Sequence, residues 1–166
     1  MTAKAPSGYV IRKPGPEQAD DAVRLLDALL PDDWREGPMR DAASMAETLR
    51  FPGTILIGAW DVDQRPAGYV SGLVMPALTQ IGETAMLDDL FVAAPARGKG
   101  LGSALVRAFR KAALARRNGP LVMWGATATD NAACDRAFRA AGGSPDDGEI
   151  FREYRWPAEP DEGTGG

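Results

Sequence analysis

The sequence predicts an α/β (α+β) fold, with one mixed, mostly antiparallel sheet of six to seven strands flanked by about four helices. Three observations predict it. Short alternating runs mark strands, and apolar residues spaced by three and four mark helices. The runs "TILIGAWD" and "AGYVSGLVM" are separated only by "VDQRP", a hairpin-length turn. Beyond the hairpin a strand, a helix, a strand and a helix follow in order, a β-α-β-α unit that a mixed sheet accommodates.

The elements follow in chain order. Tyr9 to Lys13 ("YVIRK") is a short strand ended by "PGP". Glu17 to Leu30 carries Val23, Leu26, Leu29 and Leu30 at helical spacing. "PDDWREGP" is a polar loop, and Met39 to Arg50 a second helix stopped by "FPG". Thr54 to Asp61 and Ala67 to Met75 form the hairpin, and Thr84 to Val92 is a fourth strand. Ser103 to Arg117 is a helix closed by "NGP", with glycine and proline where a helix end favours them. Pro120 to Ala126 is a strand, Asn131 to Ala141 a helix ended by "GG", and Glu149 to Trp156 a last strand. Residues 1–8 and 157–166 read as flexible ends around a single domain, 9–156.

Composition excludes whole classes of chemistry. The 166 residues contain no histidine, so no Ser-His-Asp triad, Cys-His pair or His-ligated zinc is available. No metal site is expected. A general base must come from a carboxylate, lysine, tyrosine, the lone thiol of Cys134 or water. A single cysteine allows no internal disulfide, which points to the cytoplasm. No apolar run is long enough to span a bilayer. The net charge of −4 argues against nucleic acid and suits a cationic partner. The expected partners are a small-molecule amine and a second copy of the chain in a homodimer.

The most informative stretch is "LDDLFVAAPARGKGLGSALVRAF", from Leu87 to Phe109. Two acids lie on a strand, and the turn "RGKGLG" leads directly into a helix. Glycines let backbone N–H groups approach a ligand closely. The helix start leaves its first N–H groups unpaired and its positive dipole end forward. Arg97 and Lys99 add charge, so Arg97 to Ser103 forms a candidate pyrophosphate pocket. Neither G-x-x-x-x-G-K-[ST] nor G-x-G-x-x-G fits the turn.

This turn resembles the acyl-CoA loop of the GNAT acetyltransferases, whose pattern is [RQ]-x-x-G-x-[GA]. Arg97, Gly98, Lys99, Gly100, Leu101 and Gly102 match it in full. "DLFV" is similar to the family's strand before the loop, and "DNAACDRAFRAAGG" to its later helix. The likeness runs from about Tyr9 to Trp156. It implies acetyl-CoA as cofactor, with the loop amides on its pyrophosphate and the fourth and fifth strands splayed around the pantetheine arm. Backbone groups at Leu90, Phe91 and Val92 would then meet the arm, and one N–H would polarise the thioester carbonyl.

The reaction so implied is direct attack of an amine on the thioester. Asp88 and Asp89 are the candidate bases; as neighbours on a strand they should point to opposite faces. Resemblance to polyamine acetyltransferases selects Asp88, and resemblance to aminoglycoside 3-N-acetyltransferases selects Asp89. Glu83, just upstream, is a third candidate near the acceptor. The stretch "LRFPGTILIGAWDVDQRPAGYVSGLVMP" is similar to the middle of the aminoglycoside group. Many family members protonate the departing thiolate with a tyrosine of the later helix. Phe138 stands there and has no proton to give. With a thiol pKa of about 8.5, unaided departure is feasible, and Cys134, one turn earlier on the same helical face, is an alternative donor. Asn131 reads as the cap of that helix and a neighbour of the cofactor.

The acceptor is expected to meet acids in two loops, Asp32, Asp33 and Glu36 in one, Asp146, Asp147 and Glu149 in the other. Trp34, Trp60 and Tyr69 are candidates for its wall, or for core and rim. The sequence therefore reads as an acetyl-CoA-dependent N-acetyltransferase of a small cationic amine such as an aminoglycoside. The alternatives are a polyamine or protein amine as acceptor, or an acyl-CoA-binding regulatory module.

Overall fold

A computed structural model describes residues 5–145, apart from 33, 34, 36–38, 80 and 118. In chain order the elements are β1 (Tyr9–Arg12), α1 (Ala19–Leu29), α2 (Ala42–Arg50), β2 (Thr54–Asp61), β3 (Pro66–Pro76), β4 (Glu83–Val92), α3 (Leu101–Arg116), β5 (Leu121–Gly125) and α4 (Ala132–Ala140). This is the expected order as far as α4. The expected strand Glu149–Trp156 lies outside the described residues, so the described sheet has five strands instead of six or seven.

Local chemistry moves three boundaries. Pro16–Gln18 forms a separate 3-10 turn ahead of α1. The second helix starts at Ala42, because Asp41 caps it by accepting from the Ser44 N–H at 2.8 Å. The third starts at Leu101, two residues early, where Gly100 takes a left-handed φ of 77° that a non-glycine residue would resist.

The sheet runs β1-β2-β3-β4-β5. The first three pairings are antiparallel and β4/β5 is parallel. The alternation of β2 divides the core in two. Ile55, Ile57 and Ala59 face α3 and pack with Leu101, Leu105 and Phe109. Leu56 and Trp60 face the other way and pack with Leu25 and Leu29 of α1 and Met45 of α2. Burying side chains such as Leu25, Ile55 and Phe109 stabilises by about 2 kcal/mol each. Trp60 is therefore core, with the Arg12 guanidinium stacked on its ring at 4.0 Å. Among the described residues no helix is long and apolar enough to cross a membrane.

Gly72 of β3 is closely packed on the α3 side. A Cβ there would sit 2.0 Å from the Met86 carbonyl oxygen and 2.8 Å from the Phe109 ring. Gly72→Ala is expected to lower stability by about 1–3 kcal/mol in urea denaturation, through overpacking of this contact. Wild-type stability in that variant would show that β3 and Phe109 are not apposed this closely.

Candidate active site

The parallel ladder between β4 and β5 is short. It runs from Glu83↔Leu121 to Leu87↔Gly125 and stops. β4 continues to Val92, paired among the described residues only with β3, through Leu90↔Val70, Phe91↔Tyr69 and Val92↔Gly68. Asp88 to Val92 therefore turn one backbone edge toward a gap. Phe138 of α4 stands at the root of that gap: its ring tip is 3.6 Å from where a Cβ on Gly125 would be. Ala137 closes the flank, 3.4 Å from a Cβ placed on Gly102.

The two aspartates sit at a β-bulge. Gly72 pairs with Leu87 and Val70 with Leu90, so Ser71 alone faces both Asp88 and Asp89. The extra residue lets Leu87 and Leu90, three apart, pack into the same α3-side cluster. Simple alternation across this stretch is thus corrected by the structure. Asp88 is exposed. Asp89 is half-buried and accepts a hydrogen bond from Ser71 Oγ at 3.0 Å on Oδ2. Burial pushes the Asp89 carboxyl above the usual carboxylate range; the Ser71 hydrogen bond opposes this and the charge of Asp88 adds to it.

The glycine turn lies at the mouth of the same gap. Gly98 and Gly100 hold φ of 75° and 77°, and a Cβ on either would meet nothing within 4 Å. The space in front of them is open. The first helical bond runs from the Ala104 N–H to the Gly100 carbonyl, and Gly100 offers no side-chain cap. The N–H groups of Leu101, Gly102 and Ser103 find no acceptor among the described residues.

The side chains around the turn mostly support it. Arg97 Nε donates to the Val92 carbonyl at 2.9 Å, which ties the turn to the end of β4. Lys99 Nζ donates to the Tyr9 hydroxyl at 3.2 Å and leans toward β1. Ser103 Oγ donates to the Gly100 carbonyl at 3.0 Å. Leu101 is buried in the core. Such a set can hold an elongated anionic ligand by backbone N–H groups and a helix dipole.

The remaining candidates separate. Asn131 caps α4, its Oδ1 accepting from the Cys134 N–H at 3.1 Å. Glu83 opens β4, six residues and about 20 Å from Asp89 along the strand, so the two do not share a site. It lines instead a cavity of about 430 Å³ with Gly53, Val74 and Arg116. Asp32 is exposed and sits 3.3 Å from Arg35 Nε, while that guanidinium also donates to the Asp27 carbonyl at 2.9 Å. Asp33, Trp34, Glu36, Asp146, Asp147 and Glu149 lie outside the described residues. The residue that sequence reasoning missed is Ser71. Its signal was present: apart from Tyr69, it is the only polar side chain in the run Ala67 to Met75.

The model of the "Acetyltransferase (GNAT) family" matches residues 19–142. An aminoglycoside acetyltransferase from an uncultured soil metagenomic sample, solved with trehalose, is 11% identical with a TM-score of 0.75, covering 90% of this chain and 97% of its own. An aminoglycoside N-acetyltransferase in complex with CoA is 17% identical with a TM-score of 0.65, covering 89% and 95%. A ribosomal-protein-alanine N-acetyltransferase from Brucella melitensis biovar Abortus 2308 is 19% identical with a TM-score of 0.62, covering 89% and 98%. At these identities the likeness is one of fold. No curated protein matches the sequence.

The raised Asp89 pKa has a consequence for stability. The folded chain disfavours the charged carboxylate, a penalty absent below the unfolded pKa and complete above the raised folded one. Asp89→Asn is uncharged and still accepts from Ser71. It is expected to melt at a higher temperature than wild type at about pH 8, with the gap closing toward about pH 3. A melting temperature that falls at both pH values would show that the carboxylate is stabilising.

Proposed function

The chain belongs to the GNAT acetyltransferase family, and on that premise we propose that it transfers an acetyl group from acetyl-CoA to the amine of a small cationic acceptor, of the aminoglycoside class. One observation carries the reading. Among the described residues, a glycine turn with open space before it and unpaired amides behind it lies beside a free strand edge that bears a half-buried aspartate.

The chain's own groups fit acetyl-CoA. The N–H groups of Leu101 to Ser103 and the positive end of α3 suit the diphosphate, and a side chain at Gly98 or Gly100 would intrude on it. The free edge of Asp88 to Val92 offers backbone groups to the pantetheine arm, and an N–H aimed at a developing oxyanion is worth about 3 kcal/mol. Bound acetyl-CoA supplies an acyl group on a thioester that an uncharged amine can displace. An alkylammonium has a pKa of about 10, so the acceptor must first lose a proton. Asp89 takes it. Ser71 fixes Oδ2, which leaves Oδ1 to the amine, and partial burial makes the carboxylate a stronger base than an exposed one. Phe138 donates nothing, and the thiolate leaves unaided.

The choice of acceptor is supported by the acidic balance of the chain and by fold likeness to proteins that are aminoglycoside acetyltransferases. A second reading, an acyl-CoA-binding module with little turnover, is favoured by Phe138 alone.

Free-thiol release from acetyl-CoA with a panel of aminoglycosides, polyamines and peptides separates the two. The expected result is turnover with an aminoglycoside, reduced at least a hundredfold in Asp89→Asn, about the contribution of a general base. Tight CoA binding without thiol release from any amine would establish the module. Gly100→Asp is expected to keep the fold at some cost in melting temperature, from the left-handed φ, and to lose CoA binding in calorimetry; unchanged affinity would remove the turn from the site.

A further inference from the structure

Tyr69 lies in β3 and is fully buried on the side of the sheet covered by α1 and α2. Its hydroxyl has no hydrogen-bond partner among the described residues. A buried hydroxyl is nearly always paired, either with protein or with an ordered water. What surrounds this one indicates where its partner lies.

Tyr69 stands directly opposite Phe91, and their rings stack with centroids 6.2 Å apart at 16°. Ser71, two residues further along β3, bonds the Asp89 carboxylate. Asp89, at the bulge, precedes Phe91 by two residues, so it is the diagonal neighbour of Tyr69. Side chains so placed are about 7–8 Å apart at their origins, within reach of a tyrosine. The charged groups that act on this hydroxyl are Asp89 and, more weakly, Asp88, both from β4. From β3 come only Ser71 and Tyr69 itself, while α1 and α2 bring the apolar Leu25, Leu29 and Met45 to the same cluster. Burial first, then the two carboxylates, push the phenol well above its usual range. It stays protonated, and so a donor, at any working pH.

We propose that Tyr69 is a positioning residue for Asp89: its hydroxyl donates, through one buried water, to the Asp89 carboxylate on the side away from Ser71. The carboxylate would then be held between two donors of one strand, with its remaining lone pair aimed at the acceptor amine. The catalytic half of this inference rests on Asp89 being the base proposed above.

Tyr69→Phe keeps the ring and its stacking on Phe91 and removes only the donor. The Asp89 carboxyl carbon is titrated by NMR in wild type and variant, beside the pH profile of kcat/KM and the melting temperature. Loss of a donor to the anion raises a carboxyl pKa. The expected result is an Asp89 titration about half a pH unit or more higher in Tyr69→Phe. The acid limb of the rate should rise with it, giving about a threefold loss of rate below the limb. The melting temperature should fall modestly at about pH 8, where the less stabilised carboxylate is charged, and change less toward about pH 3. Ser71→Ala, which removes the direct donor, calibrates the size of the shift. Identical Asp89 titrations in wild type and Tyr69→Phe would overturn the proposal, and a lowered melting temperature beside them would make Tyr69 a packing residue. A shifted titration with an unshifted acid limb would uphold the Tyr69–Asp89 link and remove Asp89 as the base.

Discussion

The parting of β4 from β5 after Leu87 and Gly125 is the constraint on which the candidate site depends. Up to that pair the ladder satisfies both strands. Beyond it β4 keeps its bonds to β3, and its other edge has no partner strand among the described residues. Unpaired backbone groups are tolerated only where water or a ligand reaches them. Glycine at position 125 lets the two strands stay close up to that pair: a Cβ there would come within 3.3 Å of Leu87 Cβ. The turn before α3 and the face of α4 then enclose the opening, one with amides and the other with apolar carbon.

The bulge opposite Ser71 sets both acids against a single residue of β3. Without the extra residue, Leu87 and Leu90 could not both reach the α3-side core. With it, Asp89 is drawn to Ser71 and Asp88 is left in solvent. A carboxylate held half out of water weakens the fold above its pKa, and such costs concentrate where a protein performs chemistry. The Ser71 bond recovers part of that cost and fixes the carboxylate orientation.

Much of this was legible in the sequence because the signals are local. The hairpin around "VDQRP", the Asn131 cap and the glycine turn each depend on a few consecutive residues and appear where expected. Features set by distant partners were not legible. The bulge is a mismatch of register between two strands, invisible in either alone. Lys99 is drawn to Tyr9, ninety residues away, and not to the mouth of the gap. Glu83 is near Asp89 in sequence, yet an extended strand carries it to the far end of β4. Whether Trp60 and Tyr69 wall a pocket or fill the core is decided by α1, which covers both.

The sheet also acts as a partition. The turn and α3 are anchored in one cluster of side chains, whereas α1, α2, Trp60 and Tyr69 belong to another. Under the proposed reading, the donor is gripped from the first compartment and the recipient from the second. A lineage can therefore rewrite α1 and α2 for new recipients while leaving the grip on the donor intact. Such independence is one physical route by which a single scaffold diversifies its chemistry without having to rebuild itself.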